Sequence, residues 1–355
     1  MLVGTCAGVQ RIWATLEDVR PWCLVLLCAG VAAAMAGPLP KPIPVIFDTD
    51  MGNDVDDALA LAMLHAFESR GEVRLLAVTV TKDNPWAAVY VDLVNHFYGR
   101  GHIPVGLVRN GKTPEDSPMI RVPAERRRPD GPFLYPRKIR DGRQAPEATG
   151  LLRQVLAAQP EGSVVMIQVG FSTNLARLLE SAPDAWSSFG GRELVARKVR
   201  LLSVMAGEFE TGMAEFNVKT DVPSAQKVFA EWPTPVVVSG FEVGKRILYP
   251  ARSIEEDFRY TQHHPIVDAY RHYGNMPYDR PTWDLTSVLW AVRPERGYFR
   301  LSEPGWVRVD DQGRTSFEPA SEGRHRHLLV DELQRARILE AFLYLASQPP
   351  QGRAR

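Results

Sequence analysis

Apolar and polar positions along this chain fall into two alternating patterns. Short apolar runs predict buried strands at Val45–Phe47, Val73–Val80, Ile103–Val108, Ser163–Val169, Val199–Met205 and Pro235–Ser239. Between them, helical spacing of apolar positions predicts helices over Ala58–Phe67, Trp86–Tyr98, residues 148–158, Asn174–Glu180, Pro223–Glu231 and Asp284–Val292. Ser172 or Thr173 is the expected cap of the fourth, and an amphipathic helix over Glu332–Ala346 closes the chain. Strands that alternate with helices imply a single-domain α/β fold. Its sheet should be open and mostly parallel, with helices on both faces. No internal repeat or domain boundary interrupts the alternation. Residues 109–146 do interrupt it. They are rich in Arg, Pro, Gly and Asp, too polar and broken for core, and read as either a lid or a solvated excursion.

The start of the chain has a different texture. Residues 22–36 are apolar and uncharged, and shorter than the roughly 20 residues that span a bilayer. They end in Ala34-Met-Ala36, and Gly37-Pro follows. That pattern predicts a signal peptide over residues 1–36 and a mature domain over 37–355, periplasmic or secreted and free of the membrane once cleaved. An uncleaved anchor or a wrong start is the alternative, since Glu17 and Asp18 dilute the charge of Arg11 and Arg20. Cys6, Cys23 and Cys28 all precede the proposed cut. Disulfides, zinc thiolate sites and cysteine nucleophiles then drop out of the mature protein. The 355-residue chain balances 42 Lys and Arg against 42 Asp and Glu, and no basic patch dominates. That speaks against a nucleic-acid polymer as partner, but not against single nucleosides, which carry no phosphate.

The candidate chemistry is concentrated after the first strand. Asp48, Asp50, Asp54, Asp56 and Asp57 fall within ten residues. Helix capping accounts for one or two of them, Asp54 being the natural N-cap. Five like charges at one strand end call for a cation or a hydroxyl-rich ligand. The carboxyl ends of the strands are also where open α/β sheets bind ligands. Oxygen-only donors suit a hard cation, Ca²⁺ or Mg²⁺. The spacing is not that of an EF-hand, and a strand precedes it in place of a helix.

These residues carry a family resemblance. Asp48-Thr-Asp50-Met-Gly52 and Asp56-Asp57-Ala58 resemble the opening motif of the nucleoside hydrolase family, inosine/uridine-preferring type, with Asp54 and Val55 as an apparent insertion. The resemblance continues through Val169-Gly170-Phe-Ser-Thr173-Asn174, Ala214-Glu215-Phe216-Asn217 and Trp283-Asp284, and covers roughly residues 43–345. It implies calcium-dependent hydrolysis of the N-glycosidic bond of ribonucleosides. By the resemblance, Asp50 is the metal-bound base that activates water. Asp57, Asp284 and the backbone carbonyl of Val169 join it as calcium ligands. Asp56, Asn84, Glu215 and Asn217 bind the ribose, and Asp48 and Asp54 brace those that touch the ion. The implied partner is a small-molecule nucleoside, with homo-oligomerisation left open.

Two positions depart from the family pattern. Trp283 stands where some members carry a histidine that protonates the leaving base. An indole cannot supply that proton, although it offers a base a stacking face. A family Asn upstream of Glu215 finds no match in Gly207–Gly212. Help for the leaving group is then expected from solvent or from His263, His264, His272 or a tyrosine of Tyr260–Tyr273, a segment that otherwise reads as a surface helix with scattered aromatics. The stacking face leans the reading towards purines. Alternatives are a hydrolase of another ribosyl or pentosyl compound, a metal-stabilised sugar-binding protein without turnover, and a Mg²⁺ phosphohydrolase. A water-activating Asp50 argues against the binder, and Glu215 and Asp284 fit the phosphohydrolase less well.

Overall fold

Six strands make the parallel centre of the sheet: β1 (Ile43–Thr49), β2 (Val73–Lys82), β3 (Val105–Lys112), β4 (Val164–Gln168), β5 (Val199–Met205) and β6 (Val236–Ser239). They are taken from a computed structural model that describes residues 41–351. The expected leader and its three cysteines lie outside the described residues. The spatial order is β3-β2-β1-β4-β5-β6, and each neighbouring pair is parallel. The chain therefore runs one way from β1 to β3 and the other way from β4 to β6. The switch point, where ligands bind in open α/β sheets, lies at the carboxyl ends of β1 and β4.

Strand β1 is buried on both faces. Val45 and Phe47 point into one apolar core, and Ile46 points into the other, as the two-residue period of a strand requires. The first core is roofed by the helices Asp56–Ser69, Pro85–Phe97, Asp284–Val292 and Glu332–Ala346. The second is roofed by Ala148–Ala157, Thr173–Glu180, Gly191–Lys198 and Val222–Glu231. The fold is thus a single α/β domain with helices on both faces of a mostly parallel sheet. No helix among the described residues is long and apolar enough to cross a membrane.

Two regions differ from the sequence expectation. Beyond β6 the sheet continues through β7 (Gly305–Val309), β8 (Thr315–Pro319) and β9 (His325–Leu329). β9 runs parallel to β6, whereas β7 pairs antiparallel with both β8 and β9. These strands are mostly half-exposed and alternate polar with apolar residues, so no apolar run announces them. The second difference is the stretch 109–146, which is not wholly excluded from the core. Its helix Pro118–Glu125 buries Met119, Ile120 and Ala124 against the helices Pro85–Phe97 and Pro265–Tyr273. Buried Tyr135 donates to the Asp268 carboxylate at 2.8 Å.

Candidate active site

The carboxyl ends of β1, β4 and β5 open into a cavity of about 320 Å³, within the range of small-ligand sites. Its floor depends on two glycines. Gly52 sits at φ 111°, and a Cβ there would lie 2.6 Å from Ile120 Cδ1. A Cβ on Gly170 would lie 2.6 Å from the Asp50 backbone nitrogen. Only glycine lets the turns after β1 and β4 come this close.

One side of the cavity is acidic. Asp56 and Asp57 open the helix Asp56–Ser69, and Asp284 opens the helix Asp284–Val292. One carboxylate oxygen from each lies within 4.8 Å of the other two. All three side chains are buried. Asp57 Oδ1 accepts a hydrogen bond from Thr49 Oγ1, while Asp57 Oδ2 and Asp284 Oδ2 have no partner among the described residues. Asp56 Oδ2 accepts the backbone N–H groups of Trp283 at 2.9 Å and Asp284 at 3.0 Å. It thereby satisfies donors that the start of a helix leaves open. Burial, followed by the neighbouring carboxylates, pushes Asp57 and Asp284 well above the usual carboxylate range. Burial and Asp54 do the same to Asp56. Asp50 lines the same cavity, accepts from Asn53 Nδ2 at 2.9 Å and is pushed up to about 7, chiefly by burial. Acids crowded like this cannot all ionise without positive charge among them. Oxygen-only donors with two orphaned oxygens fit a hard divalent cation.

The structure puts all four expected metal ligands, Asp50, Asp57, Val169 and Asp284, on this cavity. Its tightest carboxylate trio nevertheless contains Asp56, expected on the ribose, and omits Asp50. The Val169 carbonyl accepts Asn217 Nδ2 at 2.8 Å, and its second lone pair is left over. Glu215 and Asn217 also face the cavity. Glu215 caps the helix Phe216–Thr220 by accepting from the N–H groups of Asn217 and Val218, at 2.8 and 3.2 Å. Burial raises its carboxyl to about 7 against the pull of these donors.

Asn84 is corrected. It does not line the cavity. Its Oδ1 caps the helix Pro85–Phe97 through Trp86 N–H at 2.9 Å, and its Nδ2 donates to the carbonyls of Pro114 and Glu115 at 3.1 Å each. Asn53, inside the acidic motif, lies on the cavity instead. Asp48 lies beneath it, accepting from Thr79 Oγ1 at 2.5 Å and Asn174 Nδ2 at 2.8 Å. Asp54 is not a helix cap, since Val55 holds that position without a side-chain bond. It lines the cavity and forms an ion pair with Arg280.

The opposite side is aromatic. The half-buried Trp283 ring stacks on Phe241, centroids 5.3 Å apart and planes at 21°. Its indole N–H donates to the Phe241 carbonyl at 2.9 Å. Among the described residues no histidine lines this cavity. His264 is buried elsewhere, its pKa pushed down to about 3 by that burial, and His263 is exposed. Of the segment expected to help the leaving group, only Tyr273 reaches the cavity, together with Arg280 from the short strand Arg280–Pro281 that follows. Arg280 and Phe241 were missed from sequence. Phe241 lies two residues past the end of β6, and Arg280 is a lone cation three residues before the Trp-Asp pair.

A family model described as inosine-uridine preferring nucleoside hydrolase matches residues 45–340. A pyrimidine-specific ribonucleoside hydrolase, RihA of Citrobacter koseri, is 27% identical over 300 residues, 77% of this chain and 85% of that protein. A plant nucleoside hydrolase structure, PpNRh1, superposes with a TM-score of 0.66 at 19% identity, covering 87% of this chain and 100% of that one. A purine-preferring ribonucleoside hydrolase from Gardnerella vaginalis gives a TM-score of 0.66 at 17% identity, covering 86% and 98%. At these identities the superpositions speak for the fold.

Proposed function

This chain belongs to the inosine-uridine preferring nucleoside hydrolase family, and we propose that it hydrolyses purine ribonucleosides with calcium as its cofactor. Family membership makes it an N-glycosyl hydrolase of ribonucleosides that depends on a metal. Calcium, the purine preference and the residue roles are our reading. The observation that carries it is the buried trio Asp56, Asp57 and Asp284 with its two orphaned oxygens, beside Asp50 on one cavity.

Asp50, Asp57, Asp284 and the Val169 carbonyl would hold the ion, with Asp56 close enough to join them. Bound there, calcium acidifies a water and anchors ribose hydroxyls. Asp50 takes the proton of the attacking water. The surrounding carboxylates stabilise positive charge on the ribose as the glycosidic bond stretches. Glu215 and Asn217 receive the sugar hydroxyls. Trp283, backed by Phe241, gives the base an apolar stacking face, and this favours the larger purine ring.

The test is a screen of nucleosides for free-base release, with and without chelator. We expect release that a chelator stops and that added Ca²⁺ restores better than Mg²⁺. Binding of nucleoside without release would replace the enzyme with a sugar-binding protein. Uridine turned over with a higher kcat/KM than inosine would overturn the purine preference and leave the reaction standing. We further propose that the protein is exported and that its mature form begins near Gly37. Mass spectrometry of the exported protein tests this, and retention of residues 1–36 would overturn it.

A further inference from the structure

We propose that Arg280 is the leaving-group residue of this enzyme, holding the departing base as an anion by its fixed positive charge. The inference rests on the N-glycosidic reaction proposed above. Among the described residues, Arg280 is the single cationic side chain on a cavity lined by six carboxylates, those of Asp50, Asp54, Asp56, Asp57, Glu215 and Asp284. It packs on the aromatic residues and pairs with Asp54 of the acidic stretch. Its guanidinium carbon lies 4.9 Å from the Tyr273 ring centroid and 5.2 Å from that of Trp283. A base stacked near Trp283 is therefore within reach of the guanidinium. Asp54 takes up Nε, at 3.0 Å, and Nη2. No group among the described residues accepts from Nη1, and the side chain remains 25% exposed. A planar donor fork held on one edge and open on the other suits a ring nitrogen or carbonyl oxygen of a base.

The other groups on this side make poor acids. The indole N–H of Trp283 is already given to the Phe241 carbonyl. Burial, with Asp54 beside it, raises the pKa of Tyr273, so its hydroxyl keeps its proton. The step then runs without an acid. The C1′–N bond breaks and its electron pair leaves on the base nitrogen. The water oxygen bonds to C1′, and the water's proton passes to Asp50. The base departs as an anion paired with Arg280 and takes a proton from solvent afterwards. In this reading the Asp54–Arg280 pair aims the guanidinium, while the positive charge does the work.

The experiment compares inosine with p-nitrophenyl β-D-ribofuranoside, whose phenolate leaves without help, in the full calcium-loaded enzyme. For Arg280→Met we expect the ratio of kcat/KM on inosine to that on the aryl riboside to fall by about 10²-fold, the usual weight of one preorganised donor at developing charge. Arg280→Lys should recover part of the ratio. Asp54→Asn loosens the aim but keeps the guanidinium, and should lower the ratio by clearly less than Arg280→Met does. Equal loss on both substrates in Arg280→Met would make Arg280 a prop for the cavity wall and overturn the inference. So would a fall in the ratio for Asp54→Asn as large as that for Arg280→Met. A wild-type enzyme that cleaves neither substrate would overturn the reaction itself.

Discussion

The two sides of the cavity are built in opposite ways. The acidic side comes mainly from one stretch of ten residues at the end of β1, joined by Val169, Glu215, Asn217 and Asp284. The aromatic side is assembled from single residues on separate elements: Phe241 after β6, Tyr273 at a helix end, Arg280 on the short strand Arg280–Pro281, and Trp283 at the start of the helix Asp284–Val292. A cation and a sugar need fixed oxygens, so that side is compact and carries a motif. A departing base needs only a flat apolar face and some charge, which many residue types supply from many places. The chemistry of the first side is dictated, and that of the second is negotiable.

The sharpest way to break this contrast is at the metal. Asp57→Ala or Asp284→Ala removes a carboxylate from the trio, and we expect base release to fall to background on every nucleoside. Isothermal titration with Ca²⁺ should show the lost site, and a variant that keeps both would mean the trio is only structural. Next comes Asp50→Asn, which should lower kcat by roughly 10²–10⁴ while calcium and ribose still bind. Near-normal turnover would hand the base role to another group. Trp283→Ala tests the negotiable side. Losing one stacked base should cost roughly 1–3 kcal/mol, read as a weaker kcat/KM for inosine than for uridine relative to wild type. Equal loss on the two would remove the stacking face from the account. The smallest effect is expected for Asn84→Ala. It should lower stability by about 1 kcal/mol through the lost helix cap, seen as a reduced midpoint in urea, with KM unmoved. A raised KM would return Asn84 to the ribose.

The same contrast explains what the sequence disclosed. The parallel centre was legible because β1 to β6 are buried, and burial writes itself as apolar runs. The acidic side was legible because its donors are contiguous. Asn84 misled because a polar residue at a strand end has the same signature whether it caps a helix or meets a sugar, and here it caps. Asp56 was placed on the sugar side by motif order. Its position in the trio depends on a helix that starts more than two hundred residues later. Arg280 and Phe241 carry no motif, and only the fold brings them to Trp283. The strands β7 to β9 lack apolar runs because each is only partly buried.

The two hydrogen bonds that Asp56 accepts from the backbone N–H groups of Trp283 and Asp284 span 227 and 228 positions. During synthesis β1 emerges early, but its acid-rich end has no counterpart until the late helix arrives. Contacts between residues so far apart in sequence carry a loop-closure cost, and long-range closures of this kind come late and slowly. A fragment truncated before Asp284 lacks a site altogether, since each half holds only part of the donor set. Cation binding favours the folded form by mass action, so it rewards only the finished chain. A metal held by Asp56, Asp57 and Asp284 would thus act as a clasp between an early and a late part of the chain.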